Sequence, residues 1–232
     1  MLKKQFRFIL FGLSATLLLA LGLLPVHAAS ALVQQNNGGC FGCSSTLSVS
    51  FPSNVASGDV IVVGVVVADA SFALSSLTDS LGSSFTQAVT STNAPPPLVY
   101  IYYATLSSSG ADVVTATFSA AAPAESVYIY EVSGVTTVGL ATATGSGTGT
   151  SISTSSPVFF QTGAFLLGII GTNGFRGNVT AGTGFTLSTD NSATGITYAQ
   201  YSISSVASPT SFQATTNSGV NWAEDAVALM PS

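Results

Sequence analysis

The sequence contains few charged residues and almost no cations. Of its 232 residues, 4 are Lys or Arg and 9 are Asp or Glu, so charged residues make up 6% of the chain, whereas soluble domains contain roughly 25%. The cations are Lys3, Lys4, Arg7 and Arg176. A chain with a single cation beyond its first seven residues cannot neutralise many phosphates, which argues against binding of nucleic acid or of anionic lipid.

Histidine and lysine are absent after the first 29 residues. The only His is His27, and both Lys residues precede residue 5. Without them the chain cannot form a Ser-His-Asp or Cys-His site, a Ser-Lys nucleophile or a lysine Schiff base. Paired carboxylates can hydrolyse sugars, but Glu224 and Asp225 are neighbours, and on a strand neighbours point to opposite faces. We therefore predict no enzymatic activity, no cofactor and no metal site.

Residues 1–29 have the layout of an export signal. Three cations are followed by the apolar stretch 8–24, then by Pro25 and small residues that suit a signal peptidase. The sequence predicts a cleaved signal peptide over residues 1–29 and a secreted or cell-surface protein with no membrane contact after cleavage. A retained anchor is the alternative, because the apolar stretch approaches the length that spans a bilayer.

The rest of the chain has the pattern of an all-β protein. Hydrophobic residues make up 47% of the chain, enough for a packed core, and the apolar segments are short and separated by Gly, Ser, Asn and Pro, as strands are. Residues 60–67 and 164–170 are continuously apolar, which is typical of strands covered on both faces, whereas residues 113–118 alternate. This mixture predicts a two-sheet antiparallel β-sandwich.

The predicted organisation after the signal is an N-terminal strand and flexible linker over residues 30–39 and one sandwich domain over residues 40–232. The Gly, Ser and Thr tract 145–156, between strands predicted at 138–144 and 151–155, indicates a polar edge strand. Two short segments resemble each other: GSSFT at 82–86 and GTGFT at 182–186. They are consistent with equivalent corners of two sheets, but they are too short to establish a duplication.

Several turn and strand motifs follow one another in a recognisable order. They are residues 51–66 (FPSNVASGDVIVVGVV), 77–88, 100–104 and 127–135, and a closing strand from Trp222. This succession resembles the Gly, Ser and Thr-rich jelly-roll modules of secreted bacterial and archaeal proteins. The resemblance implies a β-sandwich of jelly-roll type displayed outside the cell as a structural or adhesive unit. Its motifs are turn and core patterns, so it carries over no catalytic residue.

Cys40 and Cys43 are the only cysteines. Their spacing occurs in haem attachment, zinc and redox sites, but position 44 is Ser rather than His, and no further Cys or His could complete a zinc site. The flanking residues have loop character, whereas a thioredoxin-type redox site expects a helix. In an exported protein the pair therefore predicts a small disulfide loop, with a redox role as the alternative.

Aromatic residues give a second candidate function. Tyr100, Tyr102, Tyr128 and Tyr130 lie on two predicted strands and are candidate glycan-binding residues of one sheet face, although aromatic packing across strands is the better explanation. Surface glycans are therefore candidate partners. Asn178 begins an N-glycosylation sequon, which arises easily by chance in a chain rich in Ser and Thr.

The N-terminal strand suggests a third function, which is self-assembly. Its residues are Ala31, Leu32, Val33, Gln34 and Gln35, and a flexible Asn-Asn-Gly-Gly linker follows. Such a strand can pair within its own domain or add to the sheet of a second copy by strand exchange. The layout resembles that of surface filament subunits, so the sequence predicts a non-enzymatic structural or adhesive surface protein that can form filaments, with a carbohydrate-binding module as the alternative.

The charge balance also predicts tolerance of acid. Without the signal, one cation remains against nine carboxylates, a formal charge of −8. Once the carboxylates are protonated around pH 3 the charge becomes close to +1, and almost no salt bridges are lost on the way.

Overall fold

The structure is a computed structural model that describes residues 30–42, 44–91, 97–121, 124–173, 179–188 and 197–232. In these ranges it has sixteen strands and no helix, and every strand pair is antiparallel. This confirms the prediction of an all-β, antiparallel chain consistent with a β-sandwich. The described strands form four sheets rather than the two that were predicted. The predicted signal peptide lies outside the described residues.

The first eight strands form two sheets. Sheet A has the order β1-β8-β3-β6-β5, and sheet B has the order β2-β7-β4. The strands are β1 (Ala31–Phe41), β2 (Thr46–Ser50), β3 (Val60–Val67), β4 (Leu74–Asp79), β5 (Thr86–Ser91), β6 (Leu98–Thr105), β7 (Val113–Phe118) and β8 (Ala124–Ser133).

The last eight strands form the other two sheets. Sheet C has the order β12-β16-β11-β14-β13, with β9 also paired to β16, and sheet D consists of β10 and β15. The strands are β9 (Val135–Ser153), β10 (Val158–Phe160), β11 (Phe165–Thr172), β12 (Val179–Ala181), β13 (Thr186–Ser188), β14 (Thr197–Ile203), β15 (Ser208–Thr210) and β16 (Gln213–Pro231).

The second half of the chain repeats the strand order of the first. Each strand of the order β1-β8-β3-β6-β5 has a counterpart eight strands later, which gives the order β9-β16-β11-β14-β13 found in sheet C. Likewise, β10 pairs with β15 as β2 pairs with β7. The exception is the fourth strand of each half, because β4 pairs with β7 whereas β12 pairs with β16.

The two similar pentapeptides lie at equivalent places in these halves. Thr86 begins β5 and is opposite Tyr103 of β6, while Thr186 begins β13 and is opposite Tyr201 of β14. The short sequence similarity therefore marks equivalent corners of sheets A and C. The duplication that the sequence could not establish is visible in the strand order.

The four sheets are stacked in the order B, A, C, D. Along β3, Val63 packs toward sheet B and Val62 toward sheet C, and all eight residues of the strand are buried. All eight residues of β11 in sheet C are buried as well. This confirms that the two continuous apolar runs are strands covered on both faces. Where β3 and β11 approach, a Cβ atom on Gly64 would lie 2.4 Å from Cδ1 of Ile169, so a larger residue at position 64 would displace the Ile169 side chain or separate the strands.

The polar tract 145–156 is part of an outer strand, as predicted, but the strand boundaries differ from the prediction. The two strands predicted at 138–144 and 151–155 are one strand, β9, of 19 residues. It pairs along β16, which is equally long. The sequence pattern divides β9 at its Gly, Ser and Thr residues, whereas pairing with a long partner keeps the backbone extended through them.

Candidate functional site

The candidate donor strand is the outer strand of sheet A in the structure. It is part of β1, which pairs with β8 of the same chain from Ala31 opposite Ser133 to Phe41 opposite Ala124, with a bulge between Leu32 and Gln34. Leu32 packs against the core between sheets A and C. The structure thus places this strand in the intramolecular arrangement.

Gln34 joins β1 to the chain that precedes β3. Its Nε2 donates to Oε2 of Glu131 at 2.6 Å, and its Oε1 accepts from the backbone nitrogen of Ser53 at 3.0 Å. The other oxygen of Glu131 accepts from the backbone nitrogen of Ala56 at 2.7 Å. Burial and the neighbouring Glu131 raise the pKa of Asp59. This polar cluster is a side-chain anchor for β1.

Gln35 joins the same strand to sheet C. The hydroxyl of Ser188, in β13, donates to Oε1 of Gln35 at 3.0 Å. The hydroxyl of Tyr130 lies 2.8 Å from that of Ser188. Because Gln34 and Gln35 bond on different sides of β1, the strand is held to its own sheet and to the facing one.

The four candidate glycan-binding tyrosines do not share an exposed face. Tyr100 and Tyr102 pack toward sheet B, whereas Tyr128 and Tyr130 pack in the core between sheets A and C, with exposed fractions of 0% and 1%. The side chains are divided because β6 and β8 present them on opposite faces of sheet A. Tyr102 has a hydrogen bond at the protein surface, because its hydroxyl donates to Oε1 of Gln87 at 2.8 Å.

The predicted disulfide and the glycosylation sequon fall partly or wholly outside the described residues. Cys40 lies opposite Glu125 in the β1–β8 pair, and its Sγ is 3.8 Å from Oε1 of Glu125. The described residues contain no free cysteine, but Cys43 is outside them, so the disulfide loop stays a prediction. Asn178 is also outside them.

Sequence reasoning missed a set of buried carboxylates. Glu125 and Glu131 in β8, and Glu224 and Asp225 in β16, are all fully buried. Each lies in a strand whose other residues are mainly apolar. This apolar context is the feature of the sequence that could have indicated their burial. Every Lys, Arg and His of the chain lies outside the described residues, so within the described part no cation is paired with them.

Glu224 and Asp225 point to opposite faces of sheet C, as their adjacency predicts. Oε1 of Glu224 accepts from Nε2 of Gln200 at 2.8 Å on the side of sheet D, where Gly168 and Phe212 are close. Asp225 accepts from the hydroxyl of Ser91 on the side of sheet A.

Burial is the main cause of the raised pKa values of Glu224, Asp225 and Glu125. It raises the pKa of Glu224 to about 7, and the hydrogen bond from Gln200 offsets this only in part. Burial likewise raises the pKa of Asp225 and that of Glu125 to about 7. One carboxyl oxygen of each of the three has no hydrogen-bond partner. An unpartnered buried oxygen is costly when ionised, so the protonated forms suit this interior.

The buried carboxyls are not gathered at one place. Glu125 and Glu131 lie in sheet A and Glu224 and Asp225 in sheet C, and in the described ranges no group of three His, Cys, Asp or Glu residues is placed to hold a metal ion. No helix in the described part of the chain is long and apolar enough to cross a membrane. A shallow polar groove of about 400 Å³ is lined by Ser83, Ser84, Thr86, Tyr103 and Thr137, among others.

Comparison of the chain with protein-family models, with curated proteins and with solved structures found no match.

Proposed function

We propose that this chain is an exported, non-enzymatic structural or adhesive component of a cell surface, whose copies join through β1 by strand exchange. The observation that carries the proposal is the place of β1 at the outer edge of sheet A, next to the chain's N-terminal segment. An outer strand can leave its sheet without breaking any strand pair except its own. The near absence of cations and the scattered carboxyls favour a structural role over an enzymatic one.

The strand order supports the finer part of the proposal, that each half is of jelly-roll type. In the first half β1 pairs with β8, β2 with β7 and β3 with β6, a nested set of antiparallel pairs divided between two packed sheets. This nesting is the connectivity expected of a jelly roll, a double-sheet architecture common in capsid and lectin domains.

Exchange of β1 conserves most of its contacts. The register with β8 and the bonds of Gln34 and Gln35 would re-form against a second copy, because a swapped strand occupies the same place in an identical sheet. Leu32 is the β1 residue that packs against a core cluster, so departure of the strand opens little of the core. Gly42, with φ of 60°, directly follows β1 and permits a turn that other residues resist.

The test is electron microscopy of the mature protein and of a variant that lacks residues 31–35. We expect threads from the mature protein, and a folded monomer without threads from the shortened one. A synthetic peptide of residues 30–35 should then bind the shortened protein, because it refills the place beside residues 130–133 of β8. Threads that persist after the deletion, or a mature protein that stays monomeric under all conditions, would contradict the proposal.

A carbohydrate-binding module is the second candidate, and one observation favours it. A groove rich in hydroxyl groups is lined by Tyr103, whose side chain lies on the face of sheet A opposite to that of Tyr102. An aromatic face beside hydroxyl groups suits a sugar ring. A glycan array with the mature protein and Tyr103→Ala tests this function, with Tyr102→Ala, on the opposite face, as the matched control. Absence of binding to any glycan would exclude it.

A further inference from the structure

A bulge in β1 directs the side chain of Gln34 toward the chain that precedes β3. Leu32 is opposite Val132 and Gln34 is opposite Glu131, so Val33 is the extra residue of the bulge. In a regular strand Leu32 and Gln34 would share a face. With the bulge, Leu32 packs toward sheet C while Gln34 bonds to Glu131 on the other side of sheet A. Bulges often redirect a side chain in this way beside a functional site.

The carboxamide of Gln34 is hydrogen-bonded at both of its polar atoms. Oε1 accepts from the backbone nitrogen of Ser53 at 3.0 Å and from the hydroxyl of Ser53 at 2.9 Å. Nε2 donates to Oε2 of Glu131 at 2.6 Å, and the carbonyl oxygens of Ser53 and Asn54 lie 3.2 and 3.4 Å from it. One amide therefore has a hydroxyl group and an N–H at its oxygen and a carboxyl group at its nitrogen.

The groups around this amide are held in place by the fold. Phe51 and Val55, on either side of Ser53, are buried, and their backbone nitrogens donate to carbonyl oxygens of the segment before β7 at 3.0 and 2.8 Å. Glu131 is fully buried, and its Oε1 accepts from the backbone nitrogen of Ala56 at 2.7 Å. Reacting groups that are held together in this way react as parts of one molecule, without the entropic cost of an encounter.

We propose that Ser53 and Gln34 form a side-chain ester that ties β1 covalently to the chain before β3. Oγ of Ser53 adds to Cδ of Gln34, and the hydroxyl proton passes to the carboxylate of Glu131. Glu131 then returns this proton to Nε2 as the bond between Cδ and Nε2 breaks, and ammonia leaves. One C–O bond replaces one C–N bond and one proton moves from oxygen to nitrogen, so the step is balanced without an oxidant or a reductant.

Each neighbour of the amide has a role in this step. The backbone N–H of Ser53 bonds to the oxygen that becomes negative in the tetrahedral intermediate, as an oxyanion-hole donor does. Glu131 contacts the nitrogen that must leave, which is the position of a general acid. Burial and the neighbouring Glu131 raise the pKa of Asp59, so the two carboxyl groups can hold a proton between them. β1, β2 and β3 contribute no Asp, Glu, Lys, Arg or His to this place.

The ester does not depend on strand exchange, because β1 pairs with β8 of its own chain in the structure. There the ester joins two parts of one chain and fixes β1 at the edge of sheet A. A second consequence rests on the proposed function. Where β1 has moved to another copy, the same reaction joins Gln34 of one copy to Ser53 of the next, and the thread becomes covalent.

The test is the intact mass of the mature protein, measured after reduction and denaturation and once it no longer changes with time. The ester lowers the mass by about 17 Da, which is the ammonia lost when the nucleophile displaces it. Peptic digestion should give one fragment that joins Gln34 to Ser53, and alkaline hydroxylamine should separate it. Ser53→Ala should have its full calculated mass. Ser57→Ala is the matched control and should keep the ester, because the Ser57 hydroxyl donates to the carbonyl oxygen of Ser107.

Three results would overturn the proposal. The first is a mature protein of full mass, whether or not it forms threads. The second is a gain of about 1 Da at Gln34, because water rather than Ser53 has then displaced the ammonia. The third is a loss of ammonia that persists in Ser53→Ala, because Asn37 followed by Gly38 can lose ammonia by closing a succinimide.

A denaturing gel separates the ester from strand exchange. An ester found only within single chains supports this inference without the exchange. A ladder of joined copies that resists denaturant, and that Ser53→Ala abolishes, supports both. Threads formed by a protein of full mass support the exchange alone.

Discussion

Asp225 of β16 accepts a hydrogen bond from the hydroxyl of Ser91 of β5, across the contact between sheets C and A. The two residues are 134 positions apart in the chain and belong to different halves of the duplicated structure. The second oxygen of Asp225 is buried without a partner. The contact between sheets A and C therefore includes a carboxyl group that is more stable in its protonated form.

The first prediction concerns pH. The carboxyls of Glu224 and Asp225 have pKa values of about 7 in the folded chain, against 4.5 and 3.8 in the absence of the fold. The folded chain thus binds more protons than the unfolded chain between these values, so stability is complete below about pH 4 and falls as the pH rises through 7. The difference is worth about 3 kcal/mol for Glu224 and about 4 kcal/mol for Asp225. Thermal denaturation should give a melting temperature higher by roughly 15 °C or more at pH 4 than at pH 8; an equal or lower value at pH 4 would contradict this.

The second prediction removes the titration. Glu224→Gln and Asp225→Asn keep the size of each side chain and an oxygen that can accept from Gln200 or Ser91, but neither side chain can ionise. The double variant should therefore be more stable than the parent at pH 8 and nearly equal to it at pH 4. Urea denaturation at both pH values measures the difference. Asp69→Asn, at a partly exposed site, is the control for the replacement of a carboxylate by an amide.

Particular residues show what the sequence could predict and what it could not. The runs at 60–67 and 164–170 predicted strands covered on both faces, because no polar residue interrupts them, and both predictions are confirmed. Four sheets were not predicted, because the pattern of each strand reports whether its faces are covered but not which sheet covers them. The repeated strand order was not predicted either, because the only similar segments noted in the two halves are the pentapeptides at 82–86 and 182–186.

The candidate sites also include some features that the sequence could predict and others that it could not. The place of Ala31 to Gln35 at a sheet edge follows from its position in the chain, whereas its bonds to Glu131 and Ser188 depend on distant residues. The burial of Tyr128 and Tyr130 depends on a second sheet that no local pattern indicates. The buried carboxylates were missed because an acidic residue in a strand ordinarily indicates a face toward solvent.

The third prediction tests the contact between sheets A and C. A Cβ atom at position 64 would lie 2.4 Å and 2.5 Å from Cδ1 and Cγ1 of Ile169, so Gly64→Ala forces the two sheets apart or displaces Ile169. We expect a loss of about 1 to 3 kcal/mol in the free energy of unfolding. Ile169→Ala alone should also destabilise the protein, by leaving a cavity. The double variant should lose less than the sum of the two, and a strictly additive loss would contradict the close approach.

The fourth prediction concerns the anchor of β1. Gln34→Ala removes the amide donor to Oε2 of Glu131, a fully buried residue, and it also releases the bond to Ser53. Loss of a partner for a buried acceptor costs about 1 to 3 kcal/mol, and here the cost falls mainly on the attachment of one outer strand. Hydrogen exchange of the β1 amides should accelerate, while that of the central strand β3 stays slow.

Gln35→Ala is the matched control for that experiment. It removes one bond to Ser188 and leaves Glu131 paired, so its effect on the β1 amides should be smaller than that of Gln34→Ala. Because strand exchange requires β1 to leave β8, the Gln34→Ala protein should also assemble into threads sooner than its parent. Faster exchange of β1 and β3 together would show that Gln34 supports the whole sheet, and equal effects of the two substitutions would show that the Glu131 cluster is not the anchor.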